Sequence, residues 1–317
     1  MNKSKFFSMV AVTVMTLLAA TSCNKADEPD VNGAQVELRL SSGIEAQTRA
    51  PFTGADTQIP AGQSVIVYVD DANTSADTVI YENNFLTADG SGNLTGRAMY
   101  FPKSVNTVNV YAIHINNNTL TGAYPTTAIT HTVAIDQADI SNYAPSDLLY
   151  AKATSVSKTS SAVPLTFYHL LSKLQVAVVA GDGLTDSDIT GITIGGTKIE
   201  AEFTLNKSTA SNAIAVTANG TATDIKIDDD VSTNFSSISY NDAIIVPQTV
   251  AANTTFITVH TSTNGDLVYK LPGSGATFES GKKYTYHITA QLAGLTMTSS
   301  ITDWTPPANP VTGTAED

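Results

Sequence analysis

The chain has 317 residues and a formal net charge of −13, from 29 acidic and 16 basic side chains, with a single cysteine. So few Lys and Arg give no footprint for nucleic acid or for the anionic face of a membrane. One cysteine excludes an internal disulfide and a thiolate metal cluster, so packed core alone must hold the fold.

The run FFSMVAVTVMTLLAATSC (residues 6–23) follows Lys3 and Lys5 and ends on that cysteine, Cys23. An apolar stretch of about fifteen residues suits a signal-peptide core and falls short of the ~20 that a membrane-spanning helix needs. Small Ala20, Thr21 and Ser22 before Cys23, and the acidic NKADEPD after it, resemble a bacterial lipoprotein signal, in which the cysteine is lipidated and becomes the new N-terminus. Export with a tether at Cys23 is therefore expected. Removal of residues 1–22 takes both lysines with it and leaves 14 basic side chains against 29 acidic, a net charge of −15.

Beyond Cys23 the texture is β throughout, with short runs of Val, Ile, Tyr, Phe and Thr broken by Gly, Asn, Asp and Ser. VELRLS (Val36–Ser41) alternates strictly, placing Val36, Leu38 and Leu40 on one face. Ser64–Val69, Thr78–Phe85, Thr107–Ile113 and Thr255–Thr261 are further predicted strands. Asp89–Asn93 and Thr263–Asp266 read as hairpin turns, where Gly and Asn supply the positive φ required. The Ser/Thr-rich stretch Ala153–Val163 lacks apolar periodicity and predicts a domain joint. A helical turn is expected near Tyr168–Leu174, since no other segment shows a 3.6-residue apolar period. At roughly 150 residues per domain, the length suits two domains.

Several catalytic patterns nearly appear and fail on inspection. In GATFESGKK the two glycines, Gly275 and Gly281, stand one residue too far apart for a phosphate loop, and Lys283 takes the place of the Ser or Thr that holds magnesium. GDGLTD (Gly181–Asp186) lacks the third glycine of a dinucleotide fingerprint. Asp89, Ser91 and Asn93 imitate calcium-loop ligands, but Leu94 stands where glycine is required and Tyr100 where the bidentate Glu belongs. There is no Gly-x-Ser-x-Gly elbow. The histidines His114, His131, His169, His260 and His287 have no metal-ligand spacing and read as strand or loop residues making ordinary hydrogen bonds. Asp228–Asp230 reads as a solvated loop, and Trp304, the sole tryptophan, as a core plug closing the last strand. No catalytic residue, metal or cofactor is expected.

The order of short motifs is more informative. Thr48-Arg49-Ala50 follows the first strand, and Tyr100-Phe101-Pro102 precedes VNVYAI (Val108–Ile113). DLLYA (Asp147–Ala151), VPLTFYHLLSKLQVAV (Val163–Val178), IIVPQ (Ile244–Gln248), FESGKKYTYHIT (Phe278–Thr289) and Ile301–Trp304 then follow in turn. Together, behind a lipoprotein signal, these resemble the fimbrillin family, the subunits of type V pili, especially its Mfa-like members.

That resemblance implies an all-β chain with two tandem transthyretin-like β-sandwich domains, at 50–160 and 161–317, behind a signal peptide (1–22) and a propeptide carrying the first strand (23–49). It implies an outer-membrane precursor held by lipidated Cys23, an Arg-specific surface protease cutting Arg49–Ala50, and assembly with other fimbrial subunits at the cell surface. The cut would remove Val36, Leu38 and Leu40 and leave a groove for a neighbour's strand. Pro306, Pro307 and Pro310 spoil the tail as a donor, since proline removes ladder donors. The candidate donor is therefore Leu292–Trp304, with Leu295, Met297 and Ile301 on one face; without a usable donor the chain would be a tip subunit. Two other readings stand beside this one: an uncleaved surface lipoprotein acting as pilus anchor or host-protein or glycan adhesin, with Ile115–Thr127 as an exposed loop, and an exported hydrolase. Asp77-Thr78-Val79 also resembles an O-glycosylation site.

Overall fold

The computed structural model describes residues 35–44, 58–73, 78–116 and 120–304, and the part from Val36 onward forms one compact unit. The described residues are almost wholly β. The first seven-stranded sheet is built from β1 (Leu40–Ile44), β2 (Ser64–Asp71), β3 (Val79–Ala88), β4 (Leu94–Gly96) and β5 (Thr107–His114), and then from β7 (Leu149–Ser157) and β8 (Val163–His169). Between β5 and β7 lie β6 (Ile129–Thr132) and a short helix, α1 (Ile140–Ser146). The second half begins with β9 (Ser172–Ala180), β10 (Ile189–Ile194), β11 (Lys198–Phe203), β12 (Val216–Ala222) and β13 (Ile225–Ile227). It continues with β14 (Asn241–Ile245), β15 (Gln248–Val250), β16 (Thr255–Thr261), β17 (Leu267–Lys270) and β18 (Ala276–Phe278), and ends with the hairpin β19 (Lys282–Gln291) and β20 (Gly294–Asp303).

In the first sheet the strands run in the order β1-β8-β7-β5-β2-β3-β4. Its central strands are covered on both faces, which is why SVIVYV and VNVYAI read as continuous apolar runs. Val65, Val67, Val69, Val108, Val110 and Ala112 point into one core, with Leu38, Leu40, Leu165 and Phe167. Ile66, Tyr68, Tyr111 and Ile113, alternating with them, join a second and larger core. That second core is shared by the sheets β14-β9-β19-β20 and β13-β10-β16-β17, through Leu174, Val176, Ile192, Ile257, Tyr286 and Ile288. β6 departs from its sequence neighbours and pairs with β11, Ile129 opposite Phe203.

The two expected hairpin turns are present. Asp89 Oδ1 accepts from the backbone of Ser91 at 2.7 Å and of Asn93 at 3.0 Å, between β3 and β4. Gly265, with φ of 73°, sits in the turn between β16 and β17. The expected helical turn at Tyr168–Leu174 is absent. β8 runs to His169, fully buried Leu170 and Leu171 bridge, and β9 starts at Ser172. Apolar residues recur there because both sides of the chain are covered, and Leu170 N donates to Leu148 O at 2.9 Å in place of a helical partner. The one α-helix among the described residues, α1, had no periodic signal. It starts on Asp139, whose side chain accepts from Ser141 N at 2.8 Å.

Buried polar groups fasten the loops to the sheets. Lys173 is fully buried, with Nζ 2.8 Å from Asp242 Oδ2 and 5.9 Å from the centre of the Tyr143 ring. Gln137 clasps the backbone of Ile244 twice, accepting from its N–H at 2.7 Å and donating to its carbonyl at 2.8 Å. Lys207, in the turn after β11, bonds the buried Asp70 of β2 and lies over the rings of Tyr111 and Tyr124. Three histidines far apart in sequence converge on residues 144–147. His131 donates from Nε2 to Ser146 O at 2.8 Å, His114 Nε2 lies 3.4 Å from Ala144 O, and His169 Nδ1 lies 2.9 Å from Asp147 Oδ2. Trp304 is the expected plug: it is buried, stacks on His169 with ring centres 3.6 Å apart, and ends β20.

Asp242→Ala would leave the Lys173 ammonium buried without its carboxylate, so urea unfolding should show a loss of about 3–5 kcal/mol. Lys173→Met in the same background should recover most of it. Burial pushes His131 down from 6.5 to about 4. The unfolded chain therefore binds this proton before the folded one does. Stability is intact above pH ~6.5 and falls on the order of 3 kcal/mol as pH drops through ~4. His131→Gln should flatten that slope; an unchanged slope would assign it to another group.

Candidate functional site: the first strand and its groove

The stretch VELRLSSGI (Val36–Ile44) is extended, and its alternation outlasts the six residues that sequence marks. Leu38, Leu40, Ser42 and Ile44 are buried, whereas Arg39 and Gly43 are exposed. Val36 is half-buried against the same core. The ladder begins at Leu40 and ends at Ile44, displaced toward the C-terminus from the expected Val36–Ser41, because β8 is in position opposite residues 40–44.

β1 and β8 run parallel, Leu40 opposite Val163 through Ile44 opposite Phe167. Pro164, inside β8, is tolerated for a geometric reason. Val163 N donates to Arg39 O at 2.8 Å, so the next residue faces away from β1. On that side β8 meets β7 only at Tyr168 and His169, so proline's missing N–H costs no ladder bond there.

The opposite edge of this segment touches residues 92–101, at the far end of the same sheet. Leu38 N donates to Met99 O at 2.8 Å, Phe101 N to Val36 O at 2.9 Å and Ser42 N to Gly92 O at 2.8 Å. Isolated antiparallel bridges join Glu37 to Tyr100 and Ser41 to Asn93. The first strand thus closes a curled sheet on itself, with β8 on one side and the flanks of β4 on the other. Between the two bridges the contact opens into a cleft of about 440 Å³, lined by Leu38, Leu40, Leu86, Leu94, Arg97 and Met99 among others. Arg39 Nε pairs with Glu37 Oε2 at 2.8 Å beside it.

Removal of Val36–Ile44 would strip Leu38, Leu40 and Ile44 from the first core. At ~1.5–3 kcal/mol per buried apolar side chain this amounts to about 5–9 kcal/mol, against ~5–15 kcal/mol for a whole domain. It would also unpair the edge of β8 and the 92–101 stretch together. No sequence signal marked residues 92–101 as the second wall of the groove; Tyr100-Phe101-Pro102 was legible only as a motif.

The other sequence-derived sites are dispersed. Cys23, Arg49, Ala50 and Asp77 lie outside the described residues. Leu295, Met297 and Ile301 share one face of β20, which is paired with β19 over all ten residues; the first two are half-buried and Ile301 is 65% exposed. In the loop Ile115–Thr127, Leu120 and Tyr124 are buried, so that stretch is tied to the second core. Among the described residues no three His, Cys, Asp or Glu side chains converge as a metal site.

The chain and its fold have counterparts among known proteins. A relative from Bacteroides uniformis, the "Putative fimbrium subunit Fim1C", is 28% identical over 321 residues and spans 96% of both chains. The crystal structure of a "putative cell adhesion protein" from the same species matches 87% of this chain and all of its own, with a TM-score of 0.61 at 23% identity. Another, from Bacteroides ovatus, matches 85% and 97% with a TM-score of 0.58 at 19% identity. At these identities the structures establish a common fold. The model of the fimbrillin-like family matches residues 48–304, most of the sequence. The chain belongs to the fimbrillin-like family.

Proposed function

We propose that the protein is a subunit of a cell-surface fimbrium that receives a strand from a neighbouring subunit into the groove now filled by residues 36–44. The observation that carries this reading is the position of the first strand, which closes a curled sheet and is bonded on both edges. Such a strand is a separable part: its loss leaves an apolar floor between two unpaired edges. Unpaired edges recruit another chain, and a neighbour's extended segment satisfies them by main-chain hydrogen bonds and alternate side chains.

In this reading the chain is exported, lipidated at Cys23 and held at the outer membrane until an Arg-specific surface protease cuts Arg49–Ala50, removing residues 23–49. The same reading divides the chain into two β-sandwiches of transthyretin-like type, at residues 50–160 and 161–317. A groove and a donor on different surfaces make a head-to-tail contact that does not close on itself, and this chain supplies the groove. β20 would be a costly donor. All ten of its residues pair with β19, and Leu295 and Met297 pack on the second core. This supports a chain that accepts a strand without giving β20 in return, as a terminal subunit would.

Arg49→Ala should leave acylated, monomeric protein in the membrane fraction, whereas the unaltered chain sheared from cells should start at Ala50 and run in high-molecular-weight assemblies. Normal assembly by the variant would overturn processing at Arg49. In the cut form, Leu165→Asp in the groove floor should abolish assembly, because a charge buried under an incoming strand costs far more than a strand pairing returns.

A further inference from the structure

The outer edge of β20 stands apart from the other strand edges in its length. β20 is the terminal strand of the sheet β14-β9-β19-β20 and pairs only with β19 among the described residues. Its register runs without a shift from Gly294 to Asp303. Native edges of this kind are ordinarily blunted by Lys, Pro, a bulge or short length. The sequence GLTMTSSITD has no Lys, no Pro and no bulge, and its one charge, Asp303, is already bonded to Lys282. Ile301 on this strand is 65% exposed, and Leu292 in the preceding turn 54%.

We propose that this edge pairs antiparallel with β20 of a second copy, about a two-fold axis through Ser299, joining two four-stranded sheets into one. A row of open backbone donors and acceptors specifies an extended strand as its occupant. The sequence specifies which strand. Residues directly opposite across an antiparallel pair must share a face, so only registers that join like parity are allowed. With Ser299 on the axis, the overlap is Leu295–Asp303 from each copy and contains no turn residue. Met297, half-buried, then meets the second copy's Ile301 twice, which covers the most exposed apolar side chain on the strand. On the other face Thr298 meets Ser300 and Thr296 meets Thr302, pairs that suit a solvated sheet surface. Asp303 falls opposite Leu295, so a chain of net charge −13 sets no like charges face to face. The interface is isologous and uses no part of residues 36–44, so it is independent of strand exchange at the groove.

The test uses the full chain with Cys23→Ser, which removes lipid and the only native thiol, carrying one cysteine at a time through Thr298→Cys, Ser299→Cys or Ser300→Cys. Directly opposed residues have Cα atoms ~4.5–5.5 Å apart, inside the range a disulfide spans, so mild oxidation should dimerise Ser299→Cys about tenfold more than its neighbours. In sedimentation, the thiol-free chain should show a concentration-dependent dimer. Ile301→Lys should abolish it while leaving the thermal midpoint unchanged, because that side chain is already largely in water. Equal cross-linking at all three positions, a monomer at every concentration, or a dimer indifferent to Ile301→Lys would overturn the proposal.

Discussion

One strand decides whether the first core is closed. The strands β8-β7-β5-β2-β3-β4 curl until the two ends are separated by one strand's width, and residues 36–44, which include β1, fill that gap. Leu38, Leu40 and Ile44 complete the core from within, and the backbone satisfies β8 on one side and residues 92–101 on the other. A central strand could not be withdrawn in this way, because β2 and β5 are buried on both faces and belong to both cores. Much of what closes the first core thus lies in one peripheral segment. Its parallel pairing with β8 fits that role, since parallel ladders hold slightly less per residue than antiparallel ones.

The second core does not draw on that strand. The second core is larger and contains no residue from the 36–44 segment. Its loops are pinned by buried polar contacts: the Lys173–Asp242 pair, the double clasp of Gln137 on Ile244, and Lys207 reaching back to Asp70. Such contacts add little net stability, because desolvation offsets most of their Coulombic gain. What they fix is geometry, since breaking one leaves a buried group unsatisfied and strongly penalised. The three histidines around residues 144–147 act in the same way, tying β5, β6 and β8 to the end of α1. For His131, burial favours the neutral ring, so its uncharged state is part of the packing.

Strand edges are the common currency of this fold. β1 covers two edges that must otherwise be hidden, and β20 presents one that nothing in its sequence disguises. An assembling subunit differs here from an ordinary exported β-protein, in which an open edge is only a liability. Both features follow from the same physics of unpaired backbone groups, but they differ in symmetry: a groove and its donor propagate, while an edge meeting its own copy closes.

By itself the sequence determined the all-β character, several strands, the two hairpin turns, the Trp304 plug and the inward face of Leu38 and Leu40. These depend on local alternation and turn chemistry, which a short window contains. The family was legible too, because the order of motifs survives where each motif alone is unspecific. Only the tertiary structure decided that Tyr168–Leu174 is two strands and a link, since an apolar run covered on both sides looks the same to periodicity as a helix. It alone carried the first strand on through Ser42, a polar residue that breaks the apolar pattern but occupies a buried position. It also brought Gly92, Met99 and Phe101 to the edge of residues 36–44, and His114, His131 and His169 to one turn. These partners lie tens of residues apart, and only the closing of the sheet makes them neighbours.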